Sequence, residues 1–306
     1  MAFLFGVLIP YVALAVFFCG VVYRVVTWGR SPVPFRIPVT GGQQKSLPWI
    51  RHATLDNPSS GWGVIGRMAL EVLFFRSLLR NTKMELREGP KLTYHWEKWL
   101  WLAGLTFHWS LAIVLLRHLR FFLQPVPGFV RWVTTLDGFF QIGLPVLYIT
   151  DITFVLALSY LLWRRVAIPQ VRYISLPTDY ILPALILGVA FTGILMRYVV
   201  RVDVTSVKEL ILGWVTFHPT VPAGIGLIFY LHLASVNLLI AYLPFSKLTH
   251  MVGIFMTPTR NLPNDSRTQR HVNPWNPPVH VHTYEEYEDE FRDKMRQAGL
   301  PLEKES

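Results

Sequence analysis

The chain has 306 residues, 52% hydrophobic, 14% aromatic and only 16% charged, with a net charge of +10. A soluble domain disperses its apolar residues by periodicity; here they stand in blocks of roughly 20, the length that crosses a bilayer's hydrocarbon core. The single Cys19 excludes a disulfide framework, a CxxC metal pair and covalent CxxCH haem, so any iron–sulfur cluster belongs to another subunit.

Five apolar runs predict a polytopic membrane protein: Phe3–Val26, Trp99–Leu123, Leu144–Trp163, Leu182–Val200 and Gly224–Leu243. The first, residues 1–26 in domain terms, reads as a retained transmembrane helix. No basic region precedes it and no small-residue cleavage site ends it. Residues 27–98 form a polar cytoplasmic or interfacial insertion, broken early by Pro32, Pro34, Pro38, Gly41, Gly42 and Pro48. Within it, WGVIGRMALEVLFFRSLLRN (62–81) sets Arg67, Glu71, Arg76 and Arg80 among bulky apolar residues. Such a segment suits either a helix at the membrane surface or a packed, partly soluble hairpin. Gly89–Pro90 closes it, and Lys83 to Lys98 reads as a solvated charge run. Trp96, Trp99 and Trp101 mark the interface where the second span begins.

Residues 99–250 are the four-helix transmembrane region, and 251–306 a cytoplasmic, partner-binding tail. The tail is first proline-rich and then mixes acids and bases at helical spacing in YEEYEDEFRDKMRQAGL. Lys and Arg number 11 in 27–98, 3 in 164–179 and 8 from 247 onward, against 6 on the opposite side. The positive-inside bias puts the amino terminus outside and the carboxyl terminus in the cytoplasm of a prokaryotic plasma membrane. A basic face beside anionic lipid accounts for the net charge without nucleic acid.

Two spans carry imidazoles. FHWSLAIVLLRH (107–118) holds His108 and His118, ten residues apart; LHLASVNLLIAYLPFSKLTH (231–250) holds His232 and His250, eighteen apart. Ionisable groups inside a membrane face the bundle interior and mark function. Eighteen residues of helix return to the same face after about 27 Å, whereas ten rise about 15 Å and turn by about 80°. Helix tilt and a kink at Pro244 are expected to absorb the mismatch. Two histidines on each of two antiparallel helices suit axial ligation of two stacked haems b, one imidazole from each helix per iron. The charge-based orientation pairs His118 with His232 near the outer face and His108 with His250 further in. For any one histidine a hydrogen-bonded core role is about as plausible, but four in two spaced pairs, with no acid or cysteine beside them, favour haem over zinc or di-iron.

Those two stretches resemble the gamma subunit of respiratory nitrate reductase, a five-span, di-haem cytochrome b that oxidises quinol. IPYVALAVFFCGVVYR (9–24), LLWRRVAIPQVR (161–172) and VTFH (215–218) echo it more weakly. The resemblance implies the same pairing, His118/His232 for the outer haem and His108/His250 for the inner. The chain departs from that subunit in its longer 27–98 interval, its tail of about 50 residues and the absence of the quinol-site lysine after span two. NPWNPPVHVHTYEEYEDEFRDKMRQAGLPLE (273–303) is similar to the DsrM-type membrane cytochrome b of the sulfite-reduction-associated Dsr complex. That resemblance implies menaquinol as substrate and a cytoplasmic iron–sulfur partner resembling heterodisulfide reductase. It also leaves room for further membrane and periplasmic subunits.

The expected fold is therefore an all-α membrane protein, five transmembrane helices holding two stacked haems b. Electrons pass from menaquinol through the outer haem, then the inner one, to the iron–sulfur subunit. The rival readings are the cytochrome b of another respiratory complex, nitrate reductase among them, and a membrane anchor without haem. Arg117, Arg120 and Arg197 are candidates for outer haem propionates and Arg164 and Arg165 for inner ones, because guanidinium forks suit carboxylates. Snorkelling at the interface is the plainer role for each alone. His218, before span five, is a weak quinol-site candidate, and His280/His282 is an HxH pair short of further ligands.

Overall fold

In the computed structural model, residues 1–31, 49, 51–89, 91–138, 145–265 and 280–304 are described. The breaker run Pro32–Pro48, Pro90 and the proline-rich 266–279 stretch lie outside them.

The chain opens on α1, Leu4–Gly29, whose first turn is wound as a π-helix over Leu4–Leu8. In the insertion, α2 (Gly61–Phe74) is capped by Ser60, whose hydroxyl accepts the Gly63 N–H at 3.3 Å. It stops at Phe75, in the left-handed region at φ 51°, and the short α3 (Arg76–Leu79) follows. The next segment corrects the all-α expectation. Thr82–Arg87 (β1) and Lys91–Trp96 (β2) form an antiparallel hairpin, with Thr82 opposite Trp96 and Arg87 opposite Lys91. Lys83 to Lys98 is thus not simply a charge run: Met84, Leu86, Leu92, Tyr94 and Trp96 alternate with polar residues, the period of a strand. Gly89, at φ +75°, supplies the reversal.

The bundle follows. α4 spans Lys98–Phe122, α5 Gly128–Asp137, α6 Ile149–Ala167, α7 Pro169–Tyr173 and α8 Thr178–Tyr198. α9 (Val204–Val215) starts on an Asp203 cap that accepts the Thr205 and Ser206 N–H groups. α10 covers Leu227–Tyr242. Two 3₁₀ turns, Leu243–Phe245 and Lys247–Thr249, separate it from α11 (His250–Gly253); α12 is Pro258–Asn261. In the tail, α13 (Tyr284–Gln297) begins with a reciprocal Thr283/Glu286 capping box.

Among the described residues four helices are long and apolar enough to cross a membrane: Leu4–Gly29, Lys98–Phe122, Thr178–Tyr198 and Leu227–Phe245. Such helices satisfy every backbone group internally, which lipid demands. Phe18, Leu115, Phe191 and Leu238 each expose more than half their surface along these helices, the pattern of side chains that face lipid. Expected span three is the helix α6, which begins at Ile149 rather than Leu144 and carries Asp151, Arg164 and Arg165.

One apolar cluster joins α1, α9 and α10 through Val7, Leu210, Ile211, Phe229 and Leu233. A second joins α4, α6 and α8 through Phe107, Phe154, Ala157, Leu158 and Ile186. The insertion is fixed to the bundle. The Trp101 and Trp109 indole N–H groups donate to the Phe74 and Leu73 carbonyls at 2.8 and 3.0 Å. On its other side Arg67 donates to the Thr259 carbonyl at 2.9 Å, and Glu71 pairs with Arg260. The charges of the 62–81 segment are therefore matched within the chain, Arg76 and Arg80 by Asp56.

Candidate functional site

The four histidines lie on three elements: His108 and His118 on α4, His232 on α10 and His250 at the start of α11. The kink expected at Pro244 is a full break in the helix between His232 and His250. Pro244 cannot donate to the helical ladder, and the chain turns through 3₁₀ geometry and an extended Ser246 (ψ 174°) before helix resumes. The break replaces the 27 Å rise of a straight helix. His250 faces His108 with ring centroids 6.0 Å apart and planes at 86°. At the other level His118 and His232 lie within electrostatic reach of each other.

Each imidazole is held the same way. Nδ1 of His108 meets the Gly104 carbonyl at 2.7 Å, Nδ1 of His118 the Val114 carbonyl at 2.7 Å, and Nδ1 of His250 the Lys247 carbonyl at 2.9 Å. A carbonyl only accepts, so each of these Nδ1 atoms carries the proton. His232 Nδ1 meets Thr192 Oγ1 at 2.9 Å, and that hydroxyl gives its own hydrogen to the Gly188 and Val189 carbonyls. It too accepts from the ring. All four side chains therefore present an Nε2 lone pair, the tautomer an axial ligand needs, fixed by the partner of the other nitrogen.

The surroundings fit a flat macrocycle with carboxylate arms. A Cβ at Gly193 would stand 3.3 Å from His232 Cε1, so α8 is pared back beside that ring. Phe75, from the insertion, packs edge-on against His108 at 4.8 Å. Among the described residues three buried donors make no hydrogen bond: Arg117 Nε, which lies 3.0 Å from Asp137 as an ion pair, and Arg197 Nε and Asn237 Nδ2. Buried polar groups are ordinarily satisfied, so such atoms signal a missing acceptor.

The candidate arginines divide. Arg117 is buried and pairs with Asp137 at 3.0 Å and Asp151 at 2.8 Å, its guanidinium 3.8 Å above the Tyr148 ring. Arg164 pairs with Glu97, and Arg165 reaches Ser175 at 2.9 Å and Asp179 at 3.6 Å. Arg120 and Arg197 have no carboxylate partner among the described residues: Arg120 lies over Phe121, and Arg197 over Tyr148 while donating to the Val146 carbonyl. His218 is exposed in the α9–α10 loop, with Nδ1 on the Thr216 carbonyl at 2.7 Å. His280 and His282 gather with Glu286 on the surface, remote in sequence from the bundle.

Sequence reasoning missed Thr192, Asp137, Tyr148 and Tyr198. A Thr-Gly pair inside the apolar run of α8 was the available signal for Thr192. Asp137 had none, since its partner Arg117 is 20 residues away on another helix.

A family model for the nitrate reductase gamma subunit matches residues 61–266. The chain belongs to the nitrate reductase gamma subunit family. It is also similar to two proteins named Hdr-like menaquinol oxidoreductase cytochrome b-like subunit. The one from Archaeoglobus fulgidus is 46% identical over 282 residues, covering 90% of this chain and 84% of the relative. The one from Archaeoglobus profundus is 41% identical over 276 residues, covering 88% and 82%. The match takes in all four histidines, and with the apolar helices it makes the chain a cytochrome b membrane subunit.

Proposed function

We propose that the chain is the di-haem, quinol-oxidising subunit of a membrane oxidoreductase complex. It draws electrons from menaquinol at its outer face and delivers them to a cytoplasmic iron–sulfur subunit of the heterodisulfide-reductase kind. The observation that carries this reading is the common tautomer: four Nδ1–H groups anchored, four Nε2 lone pairs presented, in two pairs on facing elements. His118 and His232 hold the outer haem, His108 and His250 the inner one. Arg120 and Arg197, free of carboxylates among the described residues, are the outer propionate partners. Haem supplies reversible one-electron chemistry at each level. The chain's part is to fix the rings, exclude water and keep the two levels apart.

α6 serves as the fifth span. It has 19 residues and an exposed Leu156, and its charges sit at its ends, where Asp151 meets Arg117 and Arg164 meets Glu97. The positive-inside bias favours an outer amino terminus and a cytoplasmic tail. The names of the Archaeoglobus relatives support menaquinol and an Hdr-like partner, and a DsrM-type role in dissimilatory sulfur metabolism is the finer assignment consistent with both. The test is a reduced-minus-oxidised spectrum with haem quantitation on the purified protein and on His232→Ala. Two haems b per chain, falling to one in the variant, support the reading; a wild-type protein purified with its partners and devoid of haem overturns it.

A further inference from the structure

Next to the outer histidine pair, the bundle buries a group of charges that haem binding does not use. Arg117 sits between Asp137, at the end of α5, and Asp151, in the first turn of α6. Their side chains are 8%, 3% and 14% exposed, so Asp151 is the most open of the three. Thr150 ties Asp137 to Arg117: its N–H and hydroxyl donate to Asp137 at 2.9 and 2.6 Å, and its oxygen accepts from Arg117 at 3.1 Å. Tyr198, on α8, donates to Asp151 at 2.7 Å and accepts the Tyr148 N–H at 3.1 Å.

One guanidinium shared by two carboxylates leaves the trio one negative charge in excess. Among the described residues the other charged groups facing it come through tyrosine: Arg197 stacks 4.0 Å over Tyr148, and Arg120 lies within electrostatic reach of Tyr148. His118, next to Arg117, has its Nδ1–H committed to the Val114 carbonyl. Burying charge at membrane depth is costly and is kept where protons or ions move. A packed apolar substitute is often no less stable than a buried ion pair, so structural need alone does not explain the arrangement.

Resting on the function proposed above, we infer that Asp151 is the proton acceptor for quinol oxidation, with Tyr198 its positioning and relay partner. Quinol gives up two electrons, taken one at a time by ferric haem iron as oxidant, and two protons. For each proton a quinol O–H bond breaks and an Asp151 O–H bond forms, discharging the excess negative charge of the trio. Asp151 then releases that proton to the outer aqueous side, through the rim where Tyr148 and Tyr198 meet, before the second follows. Asp137, bonded by Thr150 and paired with Arg117, holds the guanidinium in place. The quinol ring then lies against the outer ends of α4, α6 and α8, on the side of His118.

The experiment uses the purified complex with Asp151→Asn, Asp151→Glu and Tyr198→Phe variants. Haem content and chemical reduction by dithionite are read beside quinol-driven haem reduction across pH, and infrared difference spectra follow the carboxylic C=O band. Asp151→Asn is expected to keep both haems and full dithionite reduction, to slow quinol-driven reduction by roughly 10²-fold or more, and to lose the redox-linked C=O band. Asp151→Glu restores part of the rate with a displaced pH profile, and Tyr198→Phe displaces that profile while leaving haem content intact. If Asp151→Asn does not assemble, the other two variants decide. Wild-type rates and pH profiles in the assembled variants overturn the assignment of Asp151 and leave the haem reading standing. A wild-type complex without haem overturns the haem reading itself.

Discussion

Replacing Thr192 by valine removes one atom's worth of chemistry at nearly constant volume, and that atom is the acceptor that orients His232. The other three histidines lean on backbone carbonyls that no side-chain substitution can delete, so His232 is the one ligand whose tautomer can be released by a single change. Stranding a buried donor costs about 1–3 kcal/mol. Loss of the group that orients a metal-binding histidine typically weakens metal affinity by roughly 10–100-fold, which corresponds to about 1.4–2.8 kcal/mol. The two routes agree, so Thr192→Val is expected to lower affinity for the outer haem by about that factor. Inner haem is expected to be unaffected, because His108 and His250 share no partner with Thr192. The assay is haem transfer to apomyoglobin, with loss of each haem followed from the separate optical bands. Outer and inner haem leaving the variant at wild-type rates would refute the argument that the Nδ1 bond fixes this ligand.

Three further outcomes follow from the geometry. A Cβ at Gly20 would stand 2.5 Å from Pro244 Cβ, so Gly20→Ala is expected to cost about 1–3 kcal/mol and to shift the break that presents His250; the thermal midpoint and the inner haem spectrum check this. Burial pushes the Asp56 carboxyl up, but Arg76 and Arg80 outweigh it and hold it below its ordinary 3.8. A carboxyl lowered in the folded state stabilises above its unfolded value and loses that contribution as pH falls through the folded one. Hydrogen-exchange protection across 51–81, taken relative to the intrinsic rate at each pH, should therefore fall below about pH 4 in the wild type and show no such fall in Asp56→Asn. Arg260→Ala removes the partly exposed pair with Glu71 and is expected to cost less than about 1 kcal/mol; limited proteolysis between residues 250 and 265 should nonetheless quicken.

Membrane spans and histidines were legible because each is written in contiguous residues. Runs such as Leu182–Val200 or the 107–118 segment need no knowledge of neighbours, and their observed helix ends differ by only a few residues. Span three was less plain: Asp151, Arg164 and Arg165 dilute its hydropathy, and only the tertiary pairing shows how those charges are matched. The hairpin was readable from period-two alternation but was masked by its many lysines and acids. What the chain could not disclose locally were contacts between distant segments. Phe75 on the His108 ring and Thr192 under His232 join residues 33 and 40 positions apart. The Pro244 kink was visible in the sequence, but not that it ends α10 outright.

That ending divides the 227–253 region into two members with different anchorage. His232 belongs to a helix packed against α1 and α8, whereas His250 opens a short stretch that runs within ten residues to Arg260 and its contact with α2. A load applied at the carboxyl-terminal tail is thus transmitted along the covalent chain to His250 first, while the break shields His232. The two levels can be tuned separately, one by what engages the tail and the other by what packs against α10.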